Sequence, residues 1–167
     1  MTPASAINIG TLAIIAILIA LHVRTFIKGG KDPKILLSGL GGMIGGSSLA
    51  MCIGGALGSI AMYIVGGGNA LSGIAPWATG TSDGTVAGGS ISGLTMEGGL
   101  VVIVVTALLW VAIREAAKTQ RLRLLGGLFC GVCLTYTGGY GGLIQQSLIP
   151  FYNGLGAQGL AAIEGRF

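Results

Sequence analysis

Charge is what this sequence has least of. Only 8% of its 167 residues are charged, nine Lys or Arg against five Asp or Glu, with one histidine; soluble domains carry about 25%. That deficit, with 52% hydrophobic residues and a mean hydropathy of +0.86, excludes an ordinary soluble domain and places the chain in a membrane. The longest polar interval, residues 66–97, is rich in Gly, Ser and Thr and leaves no room for a separate soluble domain. No acid or base falls in the middle of an apolar stretch, which argues against the proton relays and ion sites of pumps and coupled transporters. No Ser-His-Asp set, metal-ligand cluster, nucleotide loop or dinucleotide fingerprint is present, so no catalytic residue, metal or cofactor is assigned. Three cysteines are too few for a secreted disulfide framework. His22 has no second His, Asp or Glu placed to join it and reads as an interfacial residue.

What is abundant is glycine, 33 residues of it. Ser38, Gly42, Gly46, Ala50, Gly54 and Gly58 put a small residue at every fourth position, which on a helix forms one groove where another backbone can come close. Lipid tails are as apolar as leucine, so close backbone approach, rather than hydrophobic burial, holds helices together there. Twenty steps at ~1.5 Å each span about 30 Å, the thickness of a hydrocarbon core. Because a repeat of four overshoots the 3.6-residue turn, the groove winds, and one straight neighbour cannot fill all of it.

The apolar runs predict an all-α integral membrane fold with four spans, at residues 6–27, 35–65, 94–113 and 124–149, forming one membrane domain. Asp32 and Pro33 suit the start of the second helix, which at about 46 Å must tilt, bend or protrude. Pro150 is expected to end the fourth, leaving 151–167 as an external tail. The first span is followed by its positive charge rather than preceded by it, so it reads as a retained helix and not a secretory signal.

Lys and Arg set the expected orientation. Arg24, Lys28, Lys31 and Lys34 form one cluster; Arg114, Lys118, Arg121 and Arg123 form the second; the 66–97 interval has none and the tail only Arg166. Positive residues stay on the cytoplasmic side, so both ends and the 66–97 loop are expected outside, in a bacterial inner membrane. Leu71 to Trp77 is apolar enough to dip into the interface, with Trp77 as an anchor. The same clusters explain the net charge of +4, and nucleic acid is not an expected partner.

The second and fourth helices then run in the same direction. The fourth also carries small residues at fourfold spacing, Gly127, Gly131, Thr135 and Gly139, so the two grooves are suited to pair. Glu97, Tyr136, Tyr140, Gln145 and Gln146 are the candidate pore-lining residues. The small-residue pattern resembles the glycine zippers of oligomeric channels and pore-forming proteins, which implies self-assembly around a pore; packing within one chain is the competing reading. Cys130 and Cys133 stand three apart on one helical face. Four membrane helices with such a pair resemble the quinone-linked thiol oxidoreductases of the bacterial periplasm and of the vitamin K epoxide reductase type, although the loop cysteines of that relay are missing here. The leading expectation is a non-enzymatic, self-associating component of a membrane assembly or pore, in contact with lipid and with copies of itself. A monomeric accessory subunit on a larger partner and a thiol oxidoreductase are the alternatives.

Overall fold

In the computed structural model, which describes residues 7–52, 54–73, 84–86 and 91–165, the chain is all-α, with six helices among the described residues. The first apolar run forms α1 (Ile9–Lys28) and the third forms α4 (Met96–Glu115). Each has 20 residues, about 30 Å at ~1.5 Å per residue, enough to cross a hydrocarbon core. Only 17% of each apolar window is buried inside the molecule. Their side chains face outward instead, Ile17 at 59% exposure and Leu108 at 64%, as lipid contact requires.

The expected second helix is not continuous. It divides into α2 (Pro33–Met51) and α3 (Gly55–Ser72), bent by 116° and forming together one candidate span, either broken or re-entrant. Asp32 caps α2 by accepting from the Lys34 N–H at 2.9 Å, with Pro33 in its first turn. The break sits at Gly54 and Gly55, with φ of +91° and +66°. A left-handed backbone costs other residues about 1–2 kcal/mol and glycine almost nothing, so Gly54, expected to continue the groove, helps turn the chain instead.

The fourth helix also differs from expectation. It divides into α5 (Lys118–Thr135) and α6 (Gly138–Ile163), and Pro150 lies inside α6 rather than at its end. Proline removes one N–H from the ladder, a defect that helices in membranes accommodate when neighbours satisfy the freed carbonyl. The expected tail is therefore mostly helix, up to Ile163. The expected loop is shorter than 66–97, because Gly66 to Ser72 complete α3, and Met96 and Glu97 begin α4. Within it, Thr85–Val86 (β2) pairs antiparallel with Ile7–Asn8 (β1). The Trp77 anchor lies outside the described residues. Where four spans were expected, two helices among the described residues are long and apolar enough to cross alone, or three spans result if the bent pair counts as one.

The six helices form two similar halves, α1–α3 and α4–α6. Leu37, Leu40, Gly41, Gly42, Gly46, Leu49 and Gly54 recur in the same order and spacing as Leu122, Leu125, Gly126, Gly127, Gly131, Leu134 and Gly139. Each half also closes in a similar way. Asn69 Oδ1 on α3 accepts from the Asn8 N–H at 3.1 Å and the Thr11 hydroxyl at 2.9 Å, at the start of α1. Asn153 Oδ1 on α6 accepts from the Thr95 N–H at 3.0 Å and lies 3.2 Å from its hydroxyl, at the start of α4. In both, an amide on the third helix accepts from a donor at the start of the first, where helix N–H groups lack intrahelical partners.

Candidate functional site

The halves meet where α2 lies along α5, and glycine makes the contact possible. A Cβ on Gly42 would strike the Leu124 carbonyl oxygen and stand 3.0 Å from Leu128 N; one on Gly46 would strike the Leu128 carbonyl and stand 2.9 Å from Val132 N. From the other side, Gly127 is against the Gly39 carbonyl and Gly131 against that of Met43. All four meet backbone, which cannot swing aside as a side chain can. The register Gly39 with Gly127, Met43 with Gly131 and Ser47 with Thr135 rises together along both helices, so the pair is parallel. Such close approach also allows Cα–H to carbonyl contacts, worth about 0.5–1 kcal/mol each.

Beyond the glycines the seam becomes polar. The Thr135 hydroxyl donates to the Gly131 carbonyl at 2.6 Å and lies 3.0 Å from the Ser47 hydroxyl, which is 3.4 Å from Tyr140 Oη. Ser48 and Tyr152 bring their hydroxyls within 2.8 Å. Ser47, Ser48 and Thr135 are fully buried, so these groups satisfy one another next to both helix breaks.

The remaining candidates scatter. Ser38 turns its hydroxyl back to the Ile35 carbonyl. Ala50 is buried in the core with Ile15, Val65 and Cys133. Gly54 lies in the break and Gly58 past it, so neither continues the α2 groove. Open space surrounds Gly139. Among the candidate pore-lining residues, Tyr140 faces Ser47 and Tyr136 is the C-cap of α5. Gln145 and Gln146 are exposed on α6, and Glu97 occupies the first turn of α4. One chain does not gather these five around a common passage. Cys130 and Cys133 are buried free thiols in the core.

The eight basic residues collect at one end. Arg24 and Lys28 end α1, Lys31 lies in the following turn, and Lys34 begins α2. Arg114 ends α4, its guanidinium 5.3 Å over the Trp110 ring. Lys118, Arg121 and Arg123 are in α5 rather than in a loop, since only Ala116 and Ala117 separate the helices. Arg121 donates to the Ile113 and Arg114 carbonyls, both at 2.9 Å, and so caps α4. At this end α1, α2 and α5 border an open cavity of about 620 Å³, whose lining includes Leu40, Leu122, Arg24, Lys28 and Arg123. His22 also lines it; the imidazole packs directly on Gly39, and Nε2 is buried with no hydrogen-bond partner among the described residues.

Several of these features escape a reading of fourfold spacing alone. The contact of Gly98 and Gly156, where α4 meets α6, lies beyond Pro150, a residue that in sequence suggests a helix end. Asn69 and Asn153 were hidden because each partner is about sixty residues distant. One signal was available, the recurrence of Leu-x-x-Leu-Gly-Gly-x-x-x-Gly-x-x-Leu from Leu37 and from Leu122. Comparison with protein-family models, curated proteins and solved structures finds no match to this chain.

Proposed function

We propose that this chain is a non-enzymatic integral membrane protein that self-associates as a component of a membrane assembly, such as a pore, a conjugation or secretion channel, or a phage-type lysis protein. In this reading α1, α2 with α3, α4, and α5 with α6 make four membrane segments. The basic end faces the cytoplasm of a bacterial cell and both chain ends lie outside. The observation that carries the proposal is the division of the glycines into two sets. A Cβ on Gly42, Gly46, Gly127 or Gly131 would meet backbone of the same chain, whereas one on Gly66, Gly67, Gly154 or Gly159 would meet no atom of the described residues within 4 Å. In lipid, exposed glycines on a helix suit the close approach of another helix.

The mass of the detergent-solubilised complex tests this directly. Several copies are expected, and a monomer at every concentration overturns the proposal. Gly66→Leu and Gly154→Leu should reduce that mass while the chain stays folded. The runner-up is an accessory subunit that packs as a monomer on a larger partner; it is favoured by the closure of the α2 groove by α5 within one chain. The same measurement decides between them.

A further inference from the structure

We infer that the cavity between α1, α2 and α5 is a binding site for an anionic glycerophospholipid taken from the surrounding bilayer. The inference rests on the membrane-integral reading but not on self-association. The cavity's volume of about 620 Å³ falls within the roughly 300–1,000 Å³ typical of small-molecule sites. Much of its lining is aliphatic, and several of these side chains face outward: Leu21, Leu40 and Leu122 are 50%, 45% and 64% exposed. An acyl chain can therefore enter sideways from lipid, without passing through water.

Charge identifies the head group. Arg24 and Lys28 stand one turn apart on α1, and Arg123 reaches the same cavity from α5. Among the described residues lining it there is no carboxylate. Three cations above an apolar groove at one end of a helix bundle suit a phosphate with two acyl tails, and basic pockets between membrane helices take anionic head groups. A zwitterionic lipid offers the same tails with a compensating cation, and inorganic phosphate offers the charge without tails. Neither matches both halves of the cavity.

Full-length protein in a neutral detergent, titrated with dioleoylphosphatidylglycerol, dioleoylphosphatidylcholine or sodium phosphate, provides the test. Bound lipid is counted by native mass spectrometry and thermal stability is followed in parallel. The expected result is retention of phosphatidylglycerol over phosphatidylcholine, with no stabilisation by phosphate. In the combined variant Arg24→Gln, Lys28→Gln, Arg123→Gln the preference falls by about a hundredfold. Gly126→Leu, which lines the cavity where a Cβ meets no atom within 4 Å, should displace the lipid without altering charge or fold. Equal retention of the two lipids, an unchanged preference in the charge variant, or equal stabilisation by phosphate alone would each overturn the inference. So would a disulfide between copies through Leu40→Cys, which would make a second chain the occupant. Failure of self-association leaves all these readings intact, so the two proposals fail separately.

Discussion

In the first half of the chain, α2 passes into α3 through Gly54 and Gly55, both with positive φ, and the direction changes by 116°. In the second half, α5 passes into α6 through Tyr136 and Thr137, with no positive φ among the described residues there. Yet Gly54 and Gly139 are the same position of one repeated pattern. Similar sequence spacing thus supports two local backbone conformations. What separates them is how far each glycine uses its freedom: Gly54 is at φ +91°, while Gly139 lies inside a helical turn. The α2–α5 contact treats the halves alike, since Gly42 and Gly46 meet α5 backbone much as Gly127 and Gly131 meet α2.

The comparison is tested most severely at that contact. Gly46→Ile and Gly131→Ile should each cost about 3 kcal/mol or more, because the opposing atoms are backbone and overpacking cannot relax. Loss of a monodisperse, cooperatively melting protein in detergent is the expected readout. Gly126→Ala, with open space at its Cβ, should shift the melting temperature little. Retention of the fold in both isoleucine variants would show that the halves do not meet here.

The closing amides come next. Asn69→Ala should cost about 1–3 kcal/mol, since it strips partners from the Asn8 N–H and the Thr11 hydroxyl. Asn153→Ala should cost less, because its bonds to Thr95 are exposed. Melting of the two variants side by side checks the order, and a larger loss at Asn153 would contradict it.

A smaller effect separates the two breaks. Gly54→Ala should destabilise by about 1–3 kcal/mol, because φ +91° with ψ −174° is a conformation essentially confined to glycine, whereas Gly139→Ala, in a helix with no described atom within 4 Å of its Cβ, should stabilise by about 0.5–1 kcal/mol. Shifts of the same sign would mean that the halves turn alike. The smallest effect belongs to the polar seam: a double-mutant cycle of Ser47→Ala and Thr135→Val should give a coupling near 0.6 kcal/mol, the usual size for hydrogen bonds between membrane helices.

Much of the fold was readable residue by residue. Unbroken apolar runs with few charges mark α1 and α4 to within three residues at each end, because lipid tolerates little else over that length. Asp32 and Pro33 mark the start of α2 through capping chemistry that is entirely local. The breaks were not readable in the same way. Glycine at position 54 permits a straight helix and a sharp turn alike, and Pro150 permits both a helix end and a helix interior. The three sides of the cavity come from helices far apart in sequence, so Arg24 and Arg123 read as separate topology signals until α1 and α5 are seen together.

By itself the sequence determined the solvent this protein is built for, the helices that face it, and the small residues available for close contact, since those follow from composition and short-range periodicity. Only the tertiary structure decided which glycines touch and which turn the chain. It also decided that an amide on the third helix closes each half, and that three basic residues share one cavity. The physical reason is that glycine imposes almost no conformation of its own, so in a chain this rich in it the packing partner, not the local sequence, chooses the backbone path.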